Sequence, residues 1–265
     1  MHSDAYPRTG AISPRVKVVV STGSTNEDAA AAASSDPTAW PHLSVLLTTD
    51  QTAGRGRLDR AWTTPPGSAL AVSVVVRIPG IPVAARGWVP LVAGAAMTRA
   101  IGAQLRGSAH TATLKWPNDV LVDGGKICGI LAVAVTGEPD AVVIGSGVNT
   151  RMTRADLPVD TATSFAAIGR DVDEDRLLAD YLVALDEQLA ALAAAHGDAA
   201  TAGVHGEIEA LCSTLGLEVR VSLPDGSTLE GRAQRLDRDG RLVVVTATVE
   251  TAVSAGDVVH VRPAR

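Results

Sequence analysis

Aromatic residues are scarce: Phe, Trp and Tyr make up 3% of the 265 residues, with a single phenylalanine. A chain so poor in rings has little with which to stack the bases of a nucleic acid. A formal net charge of −6, with scattered arginines, likewise offers no basic stripe for a phosphate backbone. Cysteine is limited to Cys128 and Cys212, too few for a disulfide framework or a metal-ligand cluster. Each is flanked by apolar residues and reads as an inert buried thiol, so no protein-held metal is expected. Long apolar runs are missing too, since Ser68–Ile78 and Val89–Leu105 are too short or too interrupted to span a bilayer. The stretch Met1–Ser13 is polar, carries Pro7 and lacks an apolar h-region. It is not a signal peptide, and the expected location is the cytoplasm. Neither nucleic acid nor membrane is an expected partner.

Two further scarcities carry more information. Lysine occurs only as Lys17, Lys115 and Lys126 beside twenty arginines, and asparagine only as Asn26, Asn118 and Asn149. In a chain biased toward Ala, Val, Arg and Gly, such residues tend to persist where no substitute works. Arginine cannot replace a compact ammonium, nor aspartate a neutral amide.

What is present is a globular chain, 46% hydrophobic, with room for one large and one small domain. Arg15–Ser21 reads as a β-branched strand. Ser24-Thr25-Asn26-Glu27 is a capping box that opens an alanine-rich helix to about Ser35. Leu43–Thr49 and Ser68–Ile78 read as strands separated by an Asp50–Pro66 loop, and Trp88–Leu105 as a helix. Thr111–Trp116, Val120–Val122, Lys126–Val135 and Ala141–Ile144 form a run of strands, with Asp123-Gly124-Gly125 as a hairpin turn. Asp173–His196 is amphipathic with an acidic first turn, and Glu207–Leu215 is a shorter helix ending at Gly216. Beyond Gly216 the short strands Leu217–Ser222, Thr228–Arg235, Arg241–Thr246 and Val258–Arg262 alternate with Asp-Gly and Gly-Asp turns, the texture of a small β-barrel. The expected organisation is a disordered N-terminus over 1–14, a catalytic domain over 15–215 and a β domain over 216–265.

Four constellations carry polar chemistry. Gly54-Arg55-Gly56-Arg57, continuing through Asp59, Arg60 and Trp62, allows backbone to close on a ligand while arginine forks hold anionic oxygens. By itself it reads equally as a solvated turn or an RNA-binding tract. Lys115-Trp116-Pro117-Asn118-Asp119, with Lys126 beyond the hairpin, suits a nucleotide, a metal or an incoming amine. It also reads as a hairpin with a surface Lys115–Asp119 pair, worth little. Gly145-Ser146-Gly147-Val148-Asn149 follows a strand but lacks the third glycine and the helix of a dinucleotide fingerprint. Ser24-Thr25-Asn26 is a helix cap that could also offer hydroxyl and amide partners.

Taken in order, these four segments resemble the biotin protein ligases, and the resemblance covers about Val16–Leu215 together with the small domain that follows. It departs in two places. Asp59 stands where related ligases commonly have glycine, and about fourteen residues precede the first strand, too few for the helix-turn-helix repressor domain of many bacterial relatives. The resemblance implies an α+β fold, a mixed sheet with packed helices of class II synthetase type, followed by an SH3-like barrel. It implies that biotin and ATP, with Mg²⁺, form biotinyl-5′-AMP, and that the biotinyl group passes to a lysine of a biotin carboxyl carrier protein.

Carried onto this chain, the resemblance makes Lys126, Arg55, Arg57, Lys115 and Asp119 the catalytic set. Ser24, Thr25, Asn26, Gln51, Gly54, Gly56 and Gly129 join Arg55 and Lys126 around biotin. Arg57, Arg60, Trp62, Lys115, Asn118, Lys126 and Asn149 meet ATP or the adenylate. Two other readings stay open: a lipoate–protein ligase-like acyl-adenylate transferase, and a non-catalytic biotin sensor. Retention of Lys115 and Lys126 in so lysine-poor a chain favours catalysis.

Overall fold

The computed structural model describes residues 5–223, 226–247, 249–254 and 257–260. The chain opens with α1 (Pro7–Ile12), β1 (Val16–Val18), α2 (Thr25–Ser35) and β2 (Ser44–Thr48). Two short strands, β3 (Gly54–Arg55) and β4 (Ala61–Trp62), precede β5 (Ala69–Arg77) and α3 (Trp88–Gln104). Then come β6 (Ala112–Lys115), β7 (Asp119–Val122), β8 (Gly125–Val135), β9 (Glu138–Asn149), α4 (Glu174–Ala194) and α5 (Val204–Leu211). The last strands are β10 (Glu218–Ser222), β11 (Thr228–Leu236), β12 (Leu242–Val245), β13 (Glu250–Val253) and β14 (Asp257–His260).

Seven strands form one sheet in the order β1-β2-β5-β9-β8-β7-β6, parallel only between β1 and β2. This is the mixed sheet that the family resemblance implied. The pleat divides β5 between two layers, because successive side chains point to opposite faces. Leu70, Val72, Val74 and Val76 pack with α3 and α4 in the main core, whereas Val75 meets Ala29 and Ala33 of α2 in a second, smaller core. Both faces are covered, which explains why β5 is a continuous apolar run, buried at every position from Ala69 to Val76.

β10–β14 make a five-stranded antiparallel sheet in the order β13-β12-β11-β10-β14. The barrel expected beyond Gly216 is thus an open sheet among the described residues, whose edges β13 and β14 are not paired. β13 had no strand signal, and Val261 and Arg262, expected to end the last strand, lie outside the described residues. So do Pro224 and Asp225 of the first turn and Ala255 and Gly256 of the last. This sheet is bolted to the larger layer: Trp88 Nε1 donates to Arg238 O at 2.9 Å and Trp116 Nε1 to Gly240 O at 3.1 Å. The apolar core runs without a break from α3 into Val219, Val221 and Leu242.

Three local expectations are corrected. Disorder was expected over residues 1–14, yet α1 folds onto the start of α4: Tyr6 is 3% and Thr9 0% exposed. Asp175 accepts from Thr9 N and Oγ1, both at 2.9 Å, and Arg8 pairs with Asp173 at 2.6 Å. A six-residue helix with Pro at its start has no periodicity to read. The helix expected over Glu207–Leu215 ends at Leu211, because Ser213 N bonds Leu114 O and Trp116 N bonds Thr214 Oγ1, drawing the chain onto β6. The Gly145–Asn149 segment is no turn after a strand. It lies inside β9, which runs to Asn149.

Candidate active site

The face of the sheet that carries α2 also carries a trough of small residues. Register aligns Ala71, Gly147, Gly129, Asp119 and Lys115 across five adjacent strands, and Ser73, Gly145 and Leu131 in the next row. Registered partners share a face, so the glycines leave the middle of the trough empty while Asp119 and Lys115 charge its end. A Cβ on Gly145 would lie 2.3 Å from Asn26 Oδ1, and one on Gly147 2.8 Å from the Trp62 ring. Glycine at these two positions is what lets α2 and Trp62 close onto the sheet.

One wall of the resulting pocket, which encloses about 190 Å³, is the start of α2. Ser24 caps that helix through Glu27 N at 3.4 Å. Thr25 donates from N and Oγ1 to Gln51 Oε1 at 2.8 and 3.0 Å, and Asn26 Nδ2 donates to Leu131 O at 3.0 Å. The roof is the β3–β4 hairpin, with a helical turn over Arg57–Asp59 and Leu58 in the left-handed region at φ 56°. The expected Asp50–Pro66 loop is thus paired at its centre, Gly54 with Trp62 and Arg55 with Ala61. The side chain of Asp59, where this chain departs from related ligases, lies outside the described residues. Gly54 stands behind the wall, where a Cβ would lie 2.4 Å from Trp62 O, so glycine is needed for the hairpin to close.

Lys126 and Arg57 stand at the far end, while Arg55 reaches back to α2. Lys126 Nζ is 2.6 Å from Asp119 Oδ1, Arg57 Nη1 donates to Asn118 Oδ1 at 3.1 Å, and Arg55 Nε is 2.9 Å from Glu27 Oε1. Lys126 reaches this face through a β-bulge. The β7–β8 register shifts between Val120 and Leu121, so Leu121 faces Lys126 rather than Ile127. Without that extra residue, strict alternation from Gly129 would turn Lys126 to the opposite side. Lys115 lies beside Asp119 but does not line the pocket. Burial lowers its pKa below the ordinary lysine value, with Asp119 opposing and Lys126 and Arg60 reinforcing the shift. Burial also lowers the pKa of Arg57, which nevertheless stays a cation.

Of the residues singled out in the sequence, Ser24, Thr25, Asn26, Gln51, Arg55, Gly56, Arg57, Arg60, Trp62, Asn118, Asp119, Lys126 and Gly129 all line the pocket. Asn149 does not. Its Nδ2 donates to Thr163 O at 2.9 Å and lies 3.4 Å from Lys126 O, so it braces the backbone behind Lys126. The expected contact of Asn149 with a nucleotide sugar is therefore not supported by its position. Ala61, Ala71, Ile130 and Leu131 join the wall without any signal in the sequence, and Gly145, Ser146 and Gly147 line it directly. Asp119 forms its ion pair with Lys126 in place of the expected surface pair with Lys115. Both cysteine thiols are buried, and burial raises their pKa values, as befits inert thiols. Among the described residues no group of three His, Cys, Asp or Glu side chains could hold a metal, and no helix is long and apolar enough to cross a membrane.

A second cleft of about 550 Å³ adjoins the pocket through Arg57, Asn118, Ile130 and Leu131. Its far wall is Arg238–Arg241 of the small sheet, and its floor includes Leu91 and Trp116.

Residues 20–149 match the Biotin/lipoate A/B protein ligase family, and residues 214–261 match the Biotin protein ligase C terminal domain. A biotin–[acetyl-CoA-carboxylase] ligase of Mycobacterium tuberculosis is 38% identical over 250 residues, covering 94% of this chain and 90% of that protein. The bifunctional ligase/repressor BirA of Bacillus subtilis is 29% identical over 216 residues, covering 78% of this chain and 62% of that protein. The fold is shared with a biotin protein ligase from Aquifex aeolicus solved with biotin and ATP, at TM-score 0.74 and 23% identity, covering 94% of this chain and 99% of that one. With its two domains matched in the same order, and 38% identity to a ligase along nearly the full length of both chains, the chain belongs to the biotin protein ligase family.

Proposed function

We propose that this protein activates biotin with ATP to biotinyl-5′-AMP and transfers the biotinyl group to a lysine of a biotin carboxyl carrier domain of an acyl-CoA carboxylase. The observation that carries this reading is the pocket's polarity gradient. A hydroxyl- and amide-lined end at Ser24, Thr25 and Gln51 leads through a glycine floor to a cationic end at Arg57, Arg60 and Lys126. A bicyclic urea suits the first end, and a carboxylate meeting a triphosphate suits the second.

In the first half-reaction a carboxylate oxygen of biotin attacks the α-phosphorus of ATP, the P–O bond to the β-phosphate breaks, and pyrophosphate leaves. Two anions must approach, so preorganised cations supply the main stabilisation. Lys126 bridges the carboxylate and the α-phosphate, Arg55 and Arg57 take phosphate oxygens as forks, and Lys115 adds field from behind Asp119. Asp119 is the carboxylate among the lining residues and is already paired with Lys126, a poor fit to a preformed magnesium site. We infer that Mg²⁺ enters with the triphosphate oxygens as its ligands. In the second half-reaction the carrier amine attacks the acyl carbon, the C–O bond to phosphate breaks and AMP leaves. Asp119 receives the proton that makes that amine nucleophilic. The hairpin roof, closed by Trp62, keeps water from the mixed anhydride.

The test is purified protein with ATP, Mg²⁺ and biotin, with and without a carrier domain, read by mass spectrometry. Biotinyl-AMP without carrier and a biotinyl adduct on the carrier are the expected products. Lipoate runs in parallel, and a lipoyl adduct in place of the biotinyl one would transfer the chain to the lipoate branch.

A further inference from the structure

Ser73 is the polar residue in the buried run Ala69–Val76 of β5, and it is 0% exposed. A hydroxyl placed there is costly unless bonded. Its Oγ lies 2.8 Å from Thr25 Oγ1 and 2.7 Å from Asn26 Oδ1. Thr25 uses its own proton on Gln51 Oε1, and Asn26 donates to Leu131 O. Both neighbours therefore turn acceptor lone pairs toward Ser73, which supplies the proton they share.

The amide of Asn26 is set by this arrangement. Turned over, its Oδ1 would face the carbonyl of Leu131, oxygen against oxygen. Gly145, registered opposite Ser73, makes the approach possible, because a Cβ there would lie 2.3 Å from Asn26 Oδ1. Gln51 is set in turn. Its Oε1 accepts twice from Thr25, so its Nε2 faces the hairpin, where a Cβ on Gly54 would lie 2.3 Å away.

We infer that Ser73, which does not line the pocket, is a positioning residue: it fixes the donor and acceptor pattern that Thr25, Asn26 and Gln51 present to biotin. The inference rests on reading this pocket as the biotin site. Ser73→Ala removes the shared proton and changes no lining side chain. It should weaken biotin binding about tenfold, equivalent to 1.4 kcal/mol, while KM for ATP stays at the wild-type value. In an Asn26→Ala background the same change should cost less than about twofold, because coupled residues are not additive.

Calorimetry with biotin alone reads the affinities, steady-state pyrophosphate release reads both KM values, and thermal unfolding reports the fold. Wild-type biotin affinity in Ser73→Ala, an equal rise of both KM values, or full additivity with Asn26→Ala would each overturn the positioning role. Failure of the wild-type protein to bind biotin would instead overturn the reading of the pocket, and this inference with it.

Discussion

Gly147→Ala tests whether the hairpin roof depends on the glycine floor. Gly147 lies within β9, and its φ falls outside the left-handed region, so alanine adds no backbone strain. The new Cβ, however, would stand 2.8 Å from Trp62 Cε2 and Cζ2 and 3.3 Å from Cη2. Carbon atoms pack well at about 3.5–4.0 Å, so the indole must retreat by roughly 0.7–1.2 Å. Trp62 is paired with Gly54 across the hairpin, and the turn between them carries Arg57, so the whole roof moves with the ring. A misplacement of about 1 Å costs on the order of 10²-fold in rate when it disturbs reacting geometry. The expected result is a fall of about a hundredfold in kcat/KM for adenylate formation, measured as pyrophosphate release. The unfolding temperature should stay near wild type, because the roof holds none of the main core. Trp62→Phe, which lacks the outer indole carbons Cζ2 and Cη2, should recover part of the loss in the Gly147→Ala background. Wild-type kcat/KM in the single variant, or no recovery in the double, would refute the reasoning.

Lys126→Ala should leave the fold intact and slow adenylation about a hundredfold, and Lys126→Arg should not restore it, because the compact ammonium is what fits against Asp119; single-turnover kinetics would decide. Lys115→Met should lower activity about tenfold yet raise the unfolding temperature at pH 7. Burial holds the folded pKa of Lys115 below the ordinary 10.5, so the unfolded chain binds more protons between the two values and stability rises with pH through that window. The neutral variant should lose that part of the slope, as unfolding scans at several pH values will show. Hydrogen exchange across Gly54–Trp62 should slow when biotin and ATP are added, because the roof crowds Arg55, Arg57 and Arg60 and phosphate supplies a counter-charge. Equal exchange with and without ligand would make the hairpin a static clamp. Ending the chain at Gly216 should lower the unfolding temperature and weaken adenylation, since Trp88 and Trp116, 0% and 2% exposed, would lose their cover; unchanged values in both assays would argue against it.

Most of the longer elements, and most of the residues that line the pocket, are legible in the residues alone. Strand and helix patterns depend on neighbours two to four positions away, and a lysine kept among twenty arginines announces a task that only a compact cation performs. Where elements meet was decided by the tertiary structure. Asn149, scarce like the others, proved to brace backbone, because scarcity marks a demanding position without saying whether the demand comes from ligand or fold. Ser73 gave no signal, since a serine in an apolar strand acquires meaning only when α2 lands on it. The small residues Ala71, Gly147 and Gly129 are far apart in the chain and become a floor only through register. Lys126 faces that floor because one bulge reverses the alternation of β8, a shift of a single residue that composition and periodicity do not record.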